Sequence, residues 1–591
     1  MSARLVKQSP SPPGRGRYWW LAGIAAIYSG LIYLNALHNP YVYDDNRTVL
    51  NNTSIEDITN VRHIVFREIT RPVVNFSYAL DRAIWPTQPF GHHTTSVFLH
   101  VVNVLLLFRL AWVATNDRRA HGPPDASSDV TPAIAAFVTA SLFGLHPMQT
   151  ESVGYISGRS ELVYSLFFLL ALLAARRWIL GAGRRWLGVA IGLWVAGVMS
   201  KEVAIFWPVV VSLYDRYVLG SPRPEWQRRF RRVYLPLLVL TIIVGAIRIG
   251  VLLLVEHPGS SVVIWRFAPV EVVVAFRYFR MLLAPAGQSI FHQVDDVRHL
   301  TDPSFLIAVT WLVVWIALAV RLRRIDGVAA LGMLWFVILL VPPALLVILD
   351  LGEPMAEHRV YLSSAGMFLA IGTAFGRAWP LYGSRVFRYG VLCKFLLAIW
   401  LTVLGGMTVL RNQIWANPVR LWLSAVQQAP AVWVPHVALG EALQNVGSHD
   451  GAVAEYQMAI ALRPQEPVPY MKLGLCLAEM QRLDEAAQAF RKLEQLMPGS
   501  AVARNGLGAV AMLQGRYDQA REHYRSALDA HPDDVAARQS LAMIAETIDH
   551  DPAEAARLCE QVARLAPGTQ GIDDCINRNR ARRGESAASP R

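Results

Sequence analysis

The chain has 591 residues, of which 53% are hydrophobic and 17% are charged, and its formal net charge is +12. This composition excludes an ordinary soluble protein of this length and indicates a protein that crosses the membrane several times. The positive charge lies largely in short clusters between hydrophobic stretches, which is typical of cytoplasmic loops and does not predict a nucleic-acid-binding surface. Hydrophobic stretches recur as far as about Leu410, and the sequence beyond is mixed and polar. We therefore predict an all-α fold, with a polytopic helical bundle in the membrane followed by a soluble C-terminal domain.

About eleven membrane spans are predicted within residues 18–410, after a cytoplasmic tail at residues 1–17. The spans are expected at 18–37, 92–114, 132–145, 161–175, 186–199, 203–217, 233–255, 305–320, 328–349, 362–375 and 391–410. Residues 270–283 contain Arg277 and Arg280 and are predicted to stay on the outer side as a re-entrant or interfacial helix. With this assignment every inner loop carries several Arg or Lys residues. The N-terminus is therefore expected inside and the C-terminal domain outside.

The first outer loop, residues 38–91, contains an acidic pair in the sequence Tyr43-Asp44-Asp45-Asn46. Adjacent carboxylates at a membrane surface repel each other in a medium of low dielectric, which separates their pKa values and leaves one poised as a base. The alternative is an Asx-rich turn that closes the first span. Two further stretches of this loop, at 55–66 and 73–84, have the helical spacing of apolar residues that predicts helices lying flat on the membrane.

Ionisable residues collect on the predicted outer side, at or near the ends of spans. They are Asp44, Asp45, Arg71, His146, Glu151, Arg159, Lys201, Glu202, Glu357, His358 and Arg359. Each also has a structural interpretation, as a snorkelling anchor, a span terminator or a member of an ion-pair cluster. Their convergence on one side of the membrane favours a functional site.

The residue types in this set suit one kind of chemistry. A carboxylate acts as general base on a hydroxyl group, and several cations stabilise a phosphate leaving group. An apolar membrane edge admits a lipid tail. Together these features predict transfer of a group from a lipid phosphate to a hydroxyl acceptor. This chemistry requires no metal, although a divalent ion between the acidic pair and the phosphate is left open.

The C-terminal half repeats with a period of 34 residues. The residues that keep this spacing are Pro430, Pro464, Pro498 and Pro532; Leu439, Leu473, Leu507 and Leu541; Gly440, Gly474 and Gly508; and Tyr456, Phe490 and Tyr524. This is the tetratricopeptide pattern, in which small residues let paired helices cross closely. We predict these repeats at 435–565, a connector with a partial repeat at 411–434, and a disordered tail at 566–591. Such arrays bind extended peptides in a concave groove.

The sequence leaves open whether two cysteines near the end of the chain, Cys559 and Cys575, form a disulfide. A disulfide there requires the C-terminal domain to face an oxidising compartment.

The order of several short motifs resembles that of the transmembrane-and-tetratricopeptide-repeat proteins, which are membrane glycosyltransferases of the GT-C superfamily. The motifs are Tyr-Asp-Asp at 43–45, Arg-Pro-Val at 71–73, Phe-Gly-Leu-His-Pro at 143–147 with Glu-Ser at 151–152, Ser-Gly-Arg at 157–159, Ser-Lys-Glu at 200–202 and Glu-His-Arg-Val-Tyr-Leu at 357–362. The likeness covers nearly the whole chain, including the repeats.

The resemblance implies a GT-C fold of eleven spans and an enzyme that uses a polyprenyl-phosphate sugar, often mannose. It also implies a Ser or Thr hydroxyl of a protein as acceptor, with inversion at the sugar carbon. Carried over to this chain, it implies Asp44 as the base and Asp45 as its partner or as a sugar contact. The implied donor-phosphate ligands are Arg159, Lys201 and Arg359. The implied supporting residues of the outer-face site are Arg71, His146, Glu151, Glu202, Glu357 and His358.

The Arg- and Ala-rich composition indicates a bacterial chain, so we expect an undecaprenyl-type donor and a place in the inner membrane, with the repeats in the periplasm. The expected partners are the lipid-linked sugar, an acceptor polypeptide in the repeat groove and the bilayer, without nucleic acid. Two other functions stay open, a membrane-anchored scaffold for envelope assembly without enzymatic activity and a ligase that transfers a whole lipid-linked glycan. A transporter is disfavoured because the charges lie at the outer edge rather than at mid-membrane.

Overall fold

The computed structural model describes residues 19–86, 88–121, 131–251, 267–348, 353–379 and 387–582. Within these ranges the chain is helical and contains no β-strand. The predicted all-α fold is therefore confirmed. The chain divides into two compact units, Met1–Leu421 and Trp422–Arg591. The predicted cytoplasmic tail at 1–17 lies outside the described residues.

The first unit contains the helices of the predicted membrane domain. They are α1 (Trp19–Leu31), α2 (Val61–Arg67), α3 (Pro72–Ile84), α4 (Pro89–His121), α5 (Pro132–Leu145), α6 (Thr150–Gly154), α7 (Arg159–Ile179), α8 (Arg185–Val198), α9 (Trp207–Leu213), α10 (Arg223–Arg229), α11 (Leu235–Val251), α12 (Phe267–Leu283), α13 (Pro303–Leu322), α14 (Gly327–Ile338), α15 (Val341–Ile348), α16 (Tyr361–Ala378) and α17 (Phe387–Trp415). Helix α18 (Pro418–Gln428) continues the chain into the second unit.

Among the described residues, seven helical stretches are long and apolar enough to cross a membrane. They are Trp19–Ala36, Pro89–His121, Ile156–Ile179, Arg223–Val251, Pro303–Leu322, Gly327–Ile348 and Val391–Trp415. Each coincides with one of the eleven predicted spans. The other four predicted spans are helical as well, but in the described residues they are too short, too interrupted or too polar to qualify by length and composition. Their crossing of the membrane stays a prediction.

Small residues bring the central helices of this unit into close contact. A Cβ atom added to Gly332 on α14 would lie 2.3 Å from the carbonyl oxygen of Gly366 on α16. A Cβ added to Gly372 on α16 would lie 2.5 Å from the carbonyl oxygen of Ala135 on α5. Helices in lipid gain stability by such close backbone packing, because lipid tails are as apolar as the side chains that they would replace. The glycines of α14 and α16 therefore hold together the helices that carry the outer loops.

The second unit is a tetratricopeptide array of four helix pairs. Its helices are α19 (Trp433–Asn445), α20 (His449–Leu462), α21 (Pro467–Glu479), α22 (Leu483–Leu496), α23 (Ala501–Leu513), α24 (Tyr517–Ala530), α25 (Val535–Thr547) and α26 (Pro552–Leu565). A Cβ added to Gly440 would lie 2.5 Å from the ring of Tyr456, and one added to Gly508 would lie 2.7 Å from that of Tyr524. The spacing of 34 residues thus reflects the need for a glycine opposite each aromatic ring.

The end of the array differs from the prediction. Residues Ile572–Arg582 form a further helix, α27, inside the segment that the sequence predicts to be disordered. Cys559 on α26 and Cys575 on α27 form a disulfide, and Arg580 Nη2 lies 2.6 Å from Glu560 Oε1. The helix was missed because it does not follow the 34-residue pattern and because its basic residues resemble those of a solvated tail. Residues 583–591 lie outside the described residues.

Candidate functional site

The acidic pair lies in a strained turn after α1. Tyr43 has a φ of 52°, a left-handed conformation that costs a residue with a side chain about 1–2 kcal/mol. Two distant segments hold it there. Its ring packs edge-on against Phe291 with centroids 5.8 Å apart, and its hydroxyl donates to Glu353 Oε1 at 3.3 Å. The turn is therefore set by tertiary contacts, and it leaves the next residue, Asp44, exposed.

The second carboxylate of the pair, Asp45, is fully buried and holds the turn together. Its Oδ1 accepts hydrogen bonds from the Ser157 amide at 2.8 Å and hydroxyl at 2.6 Å, and its Oδ2 accepts one from the Val42 amide at 3.1 Å. Burial raises the pKa of Asp45 to about 7, against the lowering effect of these hydrogen bonds. With its oxygens turned inward, Asp45 supports the position of Asp44, which agrees with a partner role and leaves no surface for a sugar contact.

Asp44 opens into a cavity of about 250 Å³, which we call the Asp44 cavity. Its lining residues come from four separate segments of the first unit. They are Tyr43, Asp44, Glu151, Tyr155, Ile290, Glu353, Ala356, His358 and Arg359. Of the predicted site residues, the structure thus brings together Asp44, Glu151, His358 and Arg359. In the described residues no hydrogen bond occupies the carboxylate of Asp44, while its amide donates to the Tyr155 hydroxyl at 3.1 Å.

Glu151, which is buried, and His358, which is half-buried, form a pair in the wall of this cavity. His358 Nδ1 lies 2.5 Å from Glu151 Oε1, and the His358 amide donates to Glu151 Oε2 at 3.3 Å. Burial raises the pKa of Glu151, and nearby Glu357 raises it further. Burial has the opposite effect on a basic group: it lowers the pKa of His358, and the positive charge of Lys201 lowers it further. At neutral pH the pair therefore favours a form without net charge, one proton being shared by the two residues.

Arg359 contributes the guanidinium of the Asp44 cavity. It follows His358 on the short helical turn Glu357–Val360, and its Nη1 donates to the carbonyl oxygen of Glu353 at 2.5 Å. On another side Arg359 lines a small hollow of mixed character, whose other residues include Glu271, Val274 and Leu340. Arg359 thus borders both the Asp44 cavity and this hollow.

The structure does not bring Arg159 or Lys201 into the Asp44 cavity. Arg159 is fully buried, its Nη1 lies 2.6 Å from Asp81 Oδ2 and its Nη2 donates to the His92 carbonyl oxygen at 2.7 Å. Lys201 is 5% exposed, and its Nζ lies 2.5 Å from Glu161 Oε1. Each cation therefore already has a carboxylate partner, and the geometry favours a structural role over the implied role as phosphate ligand.

We expect Arg159→Ala to destabilise the protein by about 3–5 kcal/mol, because it leaves Asp81 as a buried charge without its cation. The measurement is thermal unfolding of the purified full-length protein in detergent. Arg62→Ala, which removes an exposed arginine from α2, should unfold like the wild type. If an Arg159 variant had wild-type stability but bound the donor more weakly, Arg159 would be a phosphate ligand rather than a structural residue.

The other supporting residues lie around the site rather than in it. His146 is fully buried; its Nδ1 accepts from the Met148 amide, and its Nε2 lies 3.2 Å from the Leu282 carbonyl oxygen. Burial lowers the pKa of His146 to about 3, so it is neutral and caps the start of the short helical turn Pro147–Gln149 that follows α5. Glu357 accepts from the Ser289 amide at 2.6 Å and so anchors the segment that carries Phe291.

Arg71 and Glu202, two further supporting residues, form an ion pair with Nη2 and Oε2 3.4 Å apart. Arg71 lines a second cavity on the first outer loop, and neither residue lines the Asp44 cavity.

Sequence reasoning missed five residues that line the Asp44 cavity, namely Tyr43, Tyr155, Ile290, Glu353 and Ala356. It also missed Arg411, which does not line the cavity but whose charge acts on Glu151. Tyr43 stands inside the Tyr-Asp-Asp motif, but no local pattern connects it to Glu353, which is 310 residues away. Arg411 follows directly on the last predicted span and is 5% exposed; its Nε has no hydrogen-bond partner among the described residues. The positive charge of Arg411 partly offsets the rise in the pKa of Glu151 that burial causes. An arginine at the outer end of a span was the signal that could have found it.

In the described residues no three His, Cys, Asp or Glu side chains are placed to hold a metal ion.

Known proteins resemble both units. Tetratricopeptide-repeat family models match residues 437–501 and 477–544. Protein O-mannosyl-transferase Tmtc1 of Drosophila melanogaster is 24% identical over 75% of this chain and 61% of its own length. Protein O-mannosyl-transferase F38B6.6 of Caenorhabditis elegans is 22% identical over 77% of this chain and 64% of its own, and human protein O-mannosyl-transferase TMTC1 is 23% identical over 75% and 55%.

The chain is similar to the TMTC protein O-mannosyl-transferases over about three quarters of its length. The family resemblance predicted from the motifs is confirmed. The chain spans about 55% to 64% of the length of these relatives.

Among solved structures, MamA is 20% identical over 25% of this chain and 85% of its own, with a TM-score of 0.23. The tetratricopeptide-repeat protein YrrB is 18% identical over 28% and 86%, with a TM-score of 0.23. Likenesses at this level do not bear on function.

Proposed function

We propose that this protein is an integral-membrane glycosyltransferase that moves a sugar, mannose or another hexose, from a polyprenyl-phosphate donor to a Ser or Thr hydroxyl of a protein on the outer face of the membrane. The observation that carries the proposal is the Asp44 cavity, where an exposed carboxylate and the Arg359 guanidinium line one space. The similarity to protein O-mannosyl-transferases supports the same reaction class.

In the proposed reaction Asp44 removes the proton from the acceptor hydroxyl. The hydroxyl oxygen attacks the anomeric carbon of the sugar from the face opposite the phosphate, so the configuration at that carbon inverts. The bond between this carbon and the phosphate oxygen breaks, and the polyprenyl phosphate leaves with the electron pair. Arg359 stabilises the negative charge that develops on the leaving group.

Asp44 suits the role of base better than its neighbours do. The oxygens of Asp45 are occupied by Ser157 and Val42, and Glu151 is bound to His358. A general base has to reach the substrate hydroxyl within about 2.6–3.2 Å, which requires an accessible carboxylate. Asp44 is the exposed member of the acidic pair.

Two carboxyl groups of the cavity, those of half-buried Glu353 and buried Glu151, favour an anionic donor. Burial raises the pKa of Glu353 to about 7, against the lowering effect of the nearby Arg359 charge. Burial also raises the pKa of Glu151. Protonated carboxyl groups do not repel a phosphate, and they can donate hydrogen bonds to it. At and below neutral pH the positive charge of Arg359 therefore has less opposition within the cavity.

We expect the Michaelis constant for the donor to rise as the pH increases above about 7. The pKa of Glu353 is raised above its ordinary value, so this residue is protonated below pH 7 and becomes a repelling carboxylate above it. Glu353→Gln, which stays neutral and still accepts from Tyr43, should flatten this rise. The measurement is the donor Michaelis constant between pH 5.5 and 9 for both proteins. Glu56→Gln, an exposed change on the first outer loop, should keep the wild-type profile. If the donor Michaelis constant of Glu353→Gln rose with pH as steeply as that of the wild type, ionisation of Glu353 would not be the cause of the rise.

The tetratricopeptide repeats are proposed to hold the acceptor polypeptide, as such arrays bind extended peptides. Full-length protein in membrane vesicles, supplied with a set of radiolabelled polyprenyl-phosphate sugars and acceptor proteins, tests the whole proposal. Label should reach protein from one of the sugars and be released by alkaline β-elimination, which cleaves sugars from Ser and Thr. Absence of label from protein with every donor would exclude the proposal and favour a scaffold. Transfer of a preassembled glycan alone would favour a ligase.

A further inference from the structure

A second cavity, of about 280 Å³, lies on the first outer loop between α2, α3 and the start of α7. We call it the arginine cavity, because Arg47, Arg67 and Arg71 line it. The hydroxyl groups of Thr48, Ser157 and Ser160 line it as well. No residue lines both this cavity and the Asp44 cavity. The proposed sugar transfer makes no use of it.

The charge of this lining favours an anion. Arg71 lies 3.4 Å from Glu202, but no carboxylate of the described residues lies within 4 Å of Arg47 or Arg67. The lining contains one carboxylate, Glu68, whose Oε1 accepts from the Thr70 hydroxyl at 3.0 Å. Arginines that share a concave surface repel one another unless an anion lies between them. Guanidinium groups are among the donors that recognise phosphate oxygens.

The two helices that line the arginine cavity, α2 and α3, also carry exposed apolar side chains outside the cavity. Phe66 and Ile69 flank Arg67 and Glu68 in the sequence and are 63% and 64% exposed. On α3, the side chains of Phe76, Leu80 and Ile84 are exposed too. Apolar side chains beside basic ones are typical of helices that lie at the headgroup level of a membrane. Helices of this composition fit the headgroup level, where lipid phosphates occur, and the arginine cavity lies between two of them.

We propose that the arginine cavity is a second anion site, which binds the phosphate group of an anionic lipid headgroup. Inorganic phosphate presents the same chemistry and is the other source that a test has to distinguish. The site also borders the turn of the acidic pair. The Thr48 hydroxyl donates to the Asp44 carbonyl oxygen at 2.9 Å and lies 2.7 Å from the Ser157 hydroxyl, which in turn bonds to Asp45. These two hydroxyl protons are committed within the turn, so the donors to a phosphate are the guanidinium groups; Arg47 directly precedes Thr48, and an anion held by Arg47 would therefore lie beside the turn that positions Asp44.

The test is lipid binding by the full-length protein, without any sugar donor, so its result does not depend on the proposed transferase activity. Native mass spectrometry of the protein titrated with phosphatidylglycerol or phosphatidylcholine gives the occupancy of each lipid. We expect phosphatidylglycerol to be retained at least tenfold more tightly than phosphatidylcholine. Arg47→Gln with Arg67→Gln should abolish the difference. Arg62→Gln is the matched control, because Arg62 is an exposed arginine of α2 that does not line the cavity.

Each outcome decides the proposal. Equal retention of both lipids by the wild type, or a preference that survives the double variant, would overturn the lipid site. Stabilisation of the wild type by inorganic phosphate in a thermal-unfolding titration, lost in the double variant and without any lipid preference, would assign the cavity to a soluble phosphate instead. Arg47 and Arg67 are exposed, so the double variant should fold. If its unfolding temperature falls, Arg67→Gln alone serves in the same measurements, with at least a threefold loss of preference expected.

Discussion

Asp44→Asn should abolish sugar transfer, with a loss in rate of roughly 10²- to 10⁴-fold, the contribution usual for a general base. The amide has nearly the same size as the carboxylate but cannot accept the proton of the acceptor hydroxyl. Because Asp44 is exposed and no hydrogen bond in the described residues occupies its carboxylate, the change should leave folding and membrane insertion intact. The measurement is the initial rate of label transfer from polyprenyl-phosphate sugar to acceptor protein, at matched levels of inserted enzyme.

Asp57→Asn provides the matched control. Asp57 is also exposed and lies on the same outer loop, and its Oδ1 accepts from the Thr59 hydroxyl at 2.7 Å, a bond that asparagine can keep. This variant should transfer sugar at the wild-type rate. An unchanged transfer rate in Asp44→Asn would show that Asp44 is not the base. Glu151 and Glu353 would then be the next candidates.

Arg359→Gln is expected to lower the transfer rate by about 10²- to 10³-fold, as removal of one preorganised donor to a developing anion does. The loss should appear mainly in the turnover number, because the negative charge of the phosphate grows as the bond to the sugar breaks. Arg359→Lys keeps the charge but not the planar pair of donors, and should recover part of the rate. The measurement is steady-state kinetics with varied donor.

Arg298→Gln is the control for Arg359, since Arg298 is exposed and lies outside the Asp44 cavity. Its kinetics should equal those of the wild type. If Arg359→Gln raised only the Michaelis constant for the donor, Arg359 would bind the ground state and the transition state equally. A rate unaffected by Arg359→Gln would transfer the role of phosphate ligand to another cation, with buried Arg411 as the first to be tested.

Local patterns determined much of this protein. The 34-residue spacing of glycine and aromatic residues determined the tetratricopeptide array, since both partners of each contact recur within one repeat. The hydrophobic stretches determined the helices that can cross a membrane, seven in the part of the chain that the structure describes, because hydropathy is a property of each stretch by itself. The motif Tyr-Asp-Asp located the candidate site, and its order with the other motifs determined the family resemblance.

Tertiary structure alone decided which charged residues are available for chemistry. In the sequence, Arg159, Lys201 and Arg359 look alike, each an isolated cation near the outer end of a helix. The fold gives the first two a buried carboxylate, from Asp81 and Glu161, and leaves Arg359 in a cavity with Asp44. It also separates the acidic pair into a buried residue and an exposed one. The free energy of a charge depends on its burial and on the groups within a few ångströms of it, and those neighbours come from distant parts of the chain that no local pattern connects.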